Sequence, residues 1–248
     1  MITMVCCHNT MTTIEPFLIP PTCAFVVTNV NPQLPNAIVL SHTPYNLSPS
    51  LDTPSIAYTS ESTLVFLISA NSDDCYVHEA SATHPPWDTL GLGHWPEIGK
   101  DGSDYYGMGL RFAHLTIPKG ATIISAYLSF CSIGAYGSNT VNARISGDDE
   151  DNALTFSTVA NYNARPRTAY VNWPLVGAWS PYGAWTNSPD ISAIIQALVN
   201  RSGWVSSNAC VLFIEDDSSG TSTKYRACHD YDYGDVAKVC KLTVHFSY

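Results

Sequence analysis

The sequence predicts an all-β protein: an antiparallel, jelly-roll-like β-sandwich with one amphipathic helix and an extended N-terminal arm. From about residue 62 onward, apolar and polar residues alternate in short runs between turn residues, a pattern typical of strands with one buried face. A single segment near residue 190 has helical periodicity instead. Half of the 16 prolines lie within residues 1–60, where no regular period is seen. We therefore predict an arm over 1–60 and a sandwich domain over 61–248.

The predicted arm contains two short apolar runs that need burial against another surface. The Pro, Asn, Ser and Thr residues around them favour extended chain over a packed domain. An extended segment with apolar anchors commonly docks on a neighbouring subunit or adds a strand to it, and packing of the arm on its own domain is the alternative. The predicted assembly contacts are Phe25, Val26, Val27, Ile38, Val39 and Leu40.

Segments of the predicted sandwich domain have the patterns of strands. The clearest alternation is in 121–130, where Ala126, Leu128 and Phe130 share one face and polar residues the other. The segment 209–214 is apolar throughout, which predicts a strand buried on both faces. The predicted strands run over 63–69, 111–117, 121–130, 140–146, 209–214 and 239–246.

The predicted helix spans about 189–201. Ser188 supplies an N-cap, Pro189 the first helical position and Asp190 an acid in the first turn, while Gly203 supplies a C-cap. A single helix among many strands predicts that it closes an open end or edge of the sandwich. The apolar residues at helical spacing are Ile191, Ile194, Ile195, Leu198 and Val199.

Composition and charge exclude several classes of function. The chain carries 11 Lys and Arg against 21 Asp and Glu, a net charge of −10, and has no basic cluster to hold a phosphate backbone. No apolar run approaches the roughly 20 residues that span a bilayer. The first basic residue is Lys100, so the positive region that begins a secretory signal is not recognisable. We predict no nucleic-acid partner, no membrane span and no signal peptide.

An aromatic segment over 169–185 is the first candidate binding site. Flat aromatic faces stack on the apolar faces of sugar rings at low entropy cost, so a loop that carries several of them predicts a glycan-binding surface. The alternative is that Trp173 and Trp179 pack the core and that Tyr182 and Trp185, beside Pro181 and Gly183, are exposed. The candidate glycan-binding residues are Trp185, Tyr182, Trp179 and Trp173.

Four consecutive acids follow a predicted strand directly and form the second candidate site. They are Asp148, Asp149, Glu150 and Asp151. Because calcium takes six to eight oxygen ligands, such a cluster predicts a structural calcium site, and no other cofactor is indicated. The alternative is ordinary turn chemistry, with these residues capping a short helix that begins at Ala153.

Recognisable catalytic motifs are absent from the sequence. There is no G-x-S-x-G nucleophile motif and no Gly-rich phosphate loop, and the acid pairs lie in turns where nothing raises a carboxyl pKa. A polysaccharide lyase would need a base and a cation, and His229, Tyr231 and Arg226 lie close together in the chain. Packing at a sheet edge is the alternative for these three residues. We predict that the protein is not an enzyme.

The eight cysteines include no C-x-x-C pair, so a zinc site has little support. Cys131, Cys210 and Cys240 lie within or beside predicted strands, where free cysteine behaves as a small apolar residue. This favours buried thiols over disulfides at these three positions, while the pairing of the full set stays open.

A series of motifs falls in order over about residues 70–248. They are Gly109-Leu-Arg-Phe, Leu115-Thr-Ile-Pro-Lys-Gly, Ile145-Ser-Gly-Asp-Asp, Arg165-Pro-Arg-Thr, Ser188-Pro-Asp-Ile, Ile195-Gln-Ala-Leu-Val and Lys241-Leu-Thr-Val. Together they resemble the DNRLRE-like β-sandwich modules of extracellular polysaccharide-degrading proteins and of phage and surface proteins. The resemblance implies a non-catalytic sandwich, carbohydrate-binding when attached to an enzyme, or structural and adhesive on a particle or filament.

We therefore expect a non-catalytic structural or adhesive protein that assembles with copies of itself into a virion or extracellular filament and presents the sandwich outward. Neither a catalytic domain nor a leader is recognisable, which favours this function over an accessory module of a secreted enzyme. The first alternative is a carbohydrate-binding module that uses the aromatic loop and takes a surface glycan as its partner. A polysaccharide lyase or hydrolase is the third hypothesis.

Overall fold

The computed structural model describes residues 60–80, 86–134, 140–175, 177–217 and 225–248, and the backbone of four short strands nearer the N-terminus. The chain divides into two units, Met1–Ala57 and Tyr58–Tyr248.

The described strands of the first unit form two antiparallel pairs. Strand β1 (Met4–Cys6) pairs with β2 (Asn9–Met11), and β3 (Phe25–Val27) pairs with β4 (Ile38–Leu40). The two apolar runs of the predicted arm therefore pair with each other, and Val26 lies opposite Val39. The side chains of the six predicted assembly residues lie outside the described part of the chain, so their role in assembly stays a prediction.

The second unit is built mainly of strands. Helix α1 (Val159–Ala164) and helix α2 (Ser192–Val199) are its described α-helices. Its strands in chain order are β5 (Glu61–Leu67), β6 (Asp74–Glu79), β7 (Thr89–Gly91), β8 (Glu97–Asp101), β9 (Asp104–Phe112), β10 (Thr122–Cys131), β11 (Val141–Gly147), β12 (Val171–Leu175), β13 (Trp185–Asn187), β14 (Cys210–Asp216), β15 (Tyr225–Ala227) and β16 (Lys241–Ser247).

Within the described residues these strands form two antiparallel sheets. One sheet has the order β13-β10-β16-β5. The other has the order β12-β11-β14-β9-β6-β7, and β8 pairs with both β9 and β15. The two sheets share one core, to which β9 and β14 contribute Leu110 and Leu212, β10 and β16 contribute Leu128 and Leu242, and α2 contributes Leu198. This architecture confirms the predicted all-β sandwich.

The larger sheet is covered on both faces. Along β14, Leu212 and Ile214 lie in the main core, while Val211 and Phe213 belong to a second apolar cluster. This second cluster includes Phe156, which lies in the segment that carries α1. The prediction that 209–214 is buried on both faces is therefore confirmed.

One predicted strand boundary and one predicted helix start are wrong. The strand expected over 111–117 ends at Phe112, because His114 has a φ of 57° that breaks the extended chain. The short helix α1 begins at Val159 rather than at Ala153, and the Thr158 hydroxyl caps it by accepting the Asn161 N–H.

The predicted amphipathic helix exists, and its predicted N-terminal capping groups bind both the helix and β10. Helix α2 begins at Ser192, whose N–H donates to the Asp190 carboxylate at 3.0 Å. The Ser188 and Asp190 side chains also accept the N–H groups of Leu128 and Ala126 on β10. Gln196 of α2 accepts a third β10 N–H, that of Ile123. Side chains thus satisfy backbone donors of β10, which agrees with the prediction that the helix closes an edge.

The C-terminal cap of α2 also differs from the prediction. The helix ends at Val199 with Asn200 as the C-cap, and Gly203 lies beyond it. None of the described helices is long and apolar enough to cross a membrane.

Candidate functional site

The four aromatic residues predicted to bind glycan do not form one surface. Trp173 and Trp179 are buried in the core, where their rings pack 5.3 and 5.1 Å from the ring of Phe130. Tyr182 and Trp185 are exposed, at 51% and 43% of their full areas. The alternative stated for this segment is therefore the observed arrangement, and two of the four candidates remain available to a ligand.

Three of the four consecutive acids pair with arginines. Asp149 and Asp151 both pair with Arg201, and Asp148 pairs with Arg165 at 3.1 Å. Among the described residues, no group of three or more acidic, His or Cys side chains is placed to hold a metal ion. Three of the carboxylates already pair with arginines, and the calcium site at Asp148, Asp149, Glu150 and Asp151 stays a prediction.

The three residues considered for a lyase are not presented to solvent as a group. His229 and Arg226 are fully buried, and the Arg226 guanidinium donates to the carbonyl of Gly177. Tyr231 is half-buried and packs against the main core. This arrangement offers no exposed base and cation for a polymer chain at these three positions.

A different set of aromatic residues forms a continuous row on the larger sheet. Neighbouring ring centroids along it are 5.0 to 6.3 Å apart, within the range of favourable aromatic pairs. The aromatic row consists, in spatial order, of Trp95, His94, Tyr76, His78, Tyr106 and Tyr225. His94 and Trp95 are exposed, and the remaining members are half-buried.

Strand register explains the middle of the aromatic row. Tyr76 and His78 are two residues apart on β6 and therefore share one face of the sheet. His78 lies opposite Tyr106 on β9, and Tyr76 lies opposite the buried Met108. The row is thus on the face that carries the main core, next to the point where that core ends.

A glycine on the edge strand gives Tyr76 the space to take part in the row. Gly91 of β7 lies opposite Tyr76 in the register. A Cβ atom at Gly91 would lie 2.1 Å from the Tyr76 ring, which no side chain tolerates. The absence of a side chain lets the Tyr76 ring lie against β7, where it meets His94 at 5.0 Å.

The exposed end of the aromatic row opens on a cavity of about 270 Å³. Two carboxylates, those of Asp230 and Asp232, face the two exposed rings of the row across this space. The residues that line the carboxylate cavity are Gly93, His94, Trp95, Asp230, Asp232 and Tyr233.

A short 3₁₀ turn, Tyr231–Tyr233, positions one wall of the carboxylate cavity. Asp230 caps this turn by accepting the Tyr233 N–H at 3.1 Å, and Asp74 of β6 accepts the Tyr231 N–H at 2.8 Å. Opposite the turn, Gly93 has a φ of 66°, and a Cβ there would lie 2.7 Å from the Asp232 carboxylate. The two segments therefore approach each other closely only because residue 93 is glycine.

Two carboxyl groups at the turn have raised pKa values. The pKa of Asp74 is raised to about 7, chiefly by burial, with the nearby charges of Asp230, Asp232 and Asp73 acting in the same direction and the hydrogen bond from the Tyr231 N–H in the opposite one. Burial also raises the pKa of Asp230, with the charge of Asp232 acting in the same direction and that of His94 in the opposite one. Two carboxyl groups line the cavity, and where they are ionised they repel anions.

The predicted aromatic loop adjoins the carboxylate cavity through Tyr233. The Tyr182 hydroxyl donates to the Tyr233 hydroxyl at 3.3 Å, and both rings pack edge-on against the buried His229. Neither ring nitrogen of His229 has a hydrogen-bond partner within the described residues. Trp185 is the first residue of β13, and the Lys241 ammonium lies 4.0 Å from the centroid of its ring. Tyr182, one of the four predicted glycan-binding residues, therefore contacts a residue that lines the carboxylate cavity.

None of the six members of the aromatic row was predicted as a site residue from the sequence. Two aromatic residues separated by one position in 74–79 were a usable signal, because that spacing places Tyr76 and His78 on one face of a strand. The contacts of Tyr106 with Tyr225, and of Tyr76 with His94, join distant parts of the chain, and no local pattern reveals them.

Comparisons with known proteins add little to this geometry. No family model and no curated protein matches the sequence. Among solved structures, a chain from the empty head of turnip yellow mosaic virus is 11% identical, with 84% of this chain and 87% of that chain covered and a TM-score of 0.25. A likeness at that TM-score supports no inference about the function of this protein.

Proposed function

We propose that the sandwich domain is a non-catalytic, adhesive module that binds carbohydrate along the aromatic row and in the carboxylate cavity. The observation that carries this proposal is the unbroken series of six rings, joined by five ring contacts, that ends beside two carboxylates. Sugar rings present apolar C–H faces and a rim of hydroxyl groups. Aromatic rings match the faces, and carboxylates accept hydrogen bonds from the rim.

The dimensions favour an extended chain of sugars over a single small molecule. The carboxylate cavity, at about 270 Å³, lies just below the usual 300–1,000 Å³ of small-molecule pockets. It is therefore suited to one sugar unit, while the aromatic row continues across β6, β9 and β15 and offers further stacking positions.

The charge of the site selects among carbohydrate classes. Asp230 and Asp232 face the cavity, and the whole chain carries a net charge of −10. Like charges close to one another repel, so uronate and sulfated polymers are disfavoured. We expect neutral glycans or glycans that contain amino sugars to bind.

A glycan array probed with the full-length protein tests this proposal. Replacing Trp95 or Tyr233 by Ala should reduce the affinity for the retained glycan by about tenfold or more, since central aromatic contacts commonly dominate such interfaces. Tyr170→Ala is the matched control, because Tyr170 is also an exposed aromatic residue but its ring contacts Arg144 instead. Its affinity should equal that of the unchanged protein.

Two results would contradict the proposed site. If no glycan is retained by the unchanged protein, the carbohydrate function is wrong. If Trp185→Ala abolishes binding while Trp95→Ala and Tyr233→Ala do not, the ligand binds to the aromatic loop predicted from the sequence and not to the aromatic row.

Self-assembly into a virion or extracellular filament stays a second proposal. It depends on the two apolar runs of the N-terminal unit, whose backbones pair as β3 and β4. A glycan-binding domain presented outward on an assembly would act as an adhesive unit, so the two proposals are compatible.

A further inference from the structure

We propose that Cys228 and Cys240 form a disulfide under oxidising conditions, and that this bond closes the loop that carries the carboxylate cavity. Their sulfur atoms are 3.4 Å apart, and both residues are buried in the main core. A disulfide needs an S–S distance near 2.05 Å, so the two side chains must rotate to bring the sulfur atoms closer together. This inference is independent of carbohydrate binding.

Strand pairing brings the two cysteines together. Cys228 forms an isolated bridge with Ser132, directly after β10, and the next residue, His229, donates its N–H to the carbonyl of Cys131. Cys240 immediately precedes β16, whose first residue, Lys241, pairs with Ser129 of β10. Both ends of the segment 228–240 are therefore held beside the same few residues of β10, and the two thiols meet at the neck of a loop.

The loop between the two cysteines contains the side chains that matter most for the proposed ligand. Asp230, Asp232 and Tyr233 line the carboxylate cavity and are carried between Cys228 and Cys240. A covalent bond at the neck would restrict the opening of this loop, because cross-linking two chain positions removes conformations from the unfolded and partly unfolded ensembles.

The reaction is a thiol–disulfide exchange with a low-molecular-weight disulfide such as oxidised glutathione. The thiolate of one cysteine attacks the glutathione disulfide. This step forms a mixed disulfide between the cysteine and one glutathione, and it releases the other as reduced glutathione. The second cysteine then displaces the other glutathione, so the two thiols lose two protons and two electrons, and two reduced glutathione molecules result. Burial raises the pKa of Cys228 well above that of a free thiol, so exchange is expected while the loop opens or the chain folds.

Peptide mapping tests the proposal directly. The full-length protein is incubated with oxidised glutathione in one arm and refolded from denaturant in a glutathione buffer in another, then alkylated under denaturing conditions and digested with trypsin. Cleavage after Arg226, Lys238 and Lys241 places the two cysteines in separate peptides, 227–238 and 239–241. A disulfide between them appears as one linked mass without reduction, and as two separate peptides after it.

We expect the linked mass in at least the refolded arm of the unchanged protein. The control variant Cys75→Ala, which removes another buried thiol, should give the same linked mass. Cys228→Ala should lose the linked mass and leave Cys240 alkylated or joined to glutathione. Full alkylation of both cysteines in both arms would overturn the proposal. So would linkage of Cys240 to the peptide that contains Cys131.

Melting temperature provides a second readout. The oxidised protein should melt about 5–10 °C higher than the reduced protein, as closure of a short loop predicts. The double variant Cys228→Ala/Cys240→Ala should show no difference between oxidising and reducing conditions. An equal or lower melting temperature of the linked protein would show that the bond strains the loop, and would contradict the neck geometry.

Discussion

Individual side chains in this protein carry functions that their residue type alone does not indicate. Asp74 is the clearest example, because it lies on a strand, is almost fully buried, and holds the 3₁₀ turn by accepting the Tyr231 N–H. The charges that act most strongly on it are those of other acids, Asp230, Asp232 and Asp73. The fold therefore favours the protonated form of this carboxyl group.

The raised pKa of Asp74 predicts a pH-dependent stability. Its folded pKa is about 7, above the ordinary value of 3.8, so its stabilising contribution is complete below about pH 4 and is lost as pH rises to 7. Asp74→Asn keeps an acceptor for the Tyr231 N–H and cannot ionise. Relative to the unchanged protein, its free energy of unfolding should therefore increase between pH 4 and pH 8, by up to about 4 kcal/mol.

Urea unfolding at the two pH values measures this difference. Asp88→Asn is the control, because Asp88 is an exposed acid and its replacement should leave the pH dependence unchanged. A variant whose stability follows that of the unchanged protein at both pH values would show that Asp74 is not buried as a neutral acid.

At the scale of elements, the segment from Asp148 to Arg167 acts as a cover for the larger sheet. Arg165 is its central residue: its guanidinium donates to Asp148 at 3.1 Å and to the Thr155 carbonyl at 2.8 Å, and it lies 4.8 Å from the centroid of the Phe156 ring. Asp148, which the sequence suggested as a calcium ligand, is therefore part of a structural network in which a buried carboxylate pairs with a buried guanidinium.

Removing Arg165 should destabilise this cover strongly. Arg165→Met leaves Asp148 buried without its cation, and breaking a buried pair in this way costs about 3–5 kcal/mol at neutral pH. Burial already raises the pKa of Asp148, so the loss should be smaller at pH 4, where this carboxyl can take up a proton.

The double variant Arg165→Met/Asp148→Asn distinguishes charge burial from lost packing. It should recover most of the stability at pH 7 in thermal or urea unfolding. Arg144→Met is the control, since Arg144 is exposed and its ion pair with Asp217 is long, at 4.0 Å. A double variant no more stable than Arg165→Met would show that the charge of Asp148 is not the cause.

At the scale of the whole molecule, two units with different sequence character share one chain. The second unit forms a sandwich with a buried core, while the first contributes short strand pairs from proline-rich sequence. The apolar runs of the first unit are short, and burial between subunits would stabilise an assembly by about 25 cal/mol per Å² of apolar surface.

Sedimentation of the full-length protein tests this assembly. We expect discrete oligomers or fibres, and we expect Val26→Asp to shift the protein toward monomer by placing a charge in the β3–β4 pair. Val205→Asp, an exposed position of the sandwich, is the control and should leave the assembly unchanged. If the unchanged protein sediments as a single monomeric species, the assembly hypothesis is contradicted.

Comparison of particular elements shows how far sequence reasoning reaches. The alternation in 121–130, the apolar run in 209–214 and the closing segment 239–246 became β10, β14 and β16, because period and burial are local properties of a strand. The Ser188-Pro189-Asp190 motif was correctly predicted as a source of capping groups, and Asp190 binds the first residue of the helix, but Ser188 and Asp190 also bind the backbone of β10. A cap motif specifies which groups are available and not which donors they meet.

The sequence by itself determined the fold class of this protein, its main strands, its amphipathic helix and its acidic character, because each follows from residue type and periodicity along the chain. Only the tertiary structure decided the candidate site. The aromatic row and the carboxylate cavity each join segments far apart in sequence, and the contact between Cys228 and Cys240 depends on the pairing of both residues beside β10. Such contacts depend on strand order and register, and these are set by the packing of the whole sandwich.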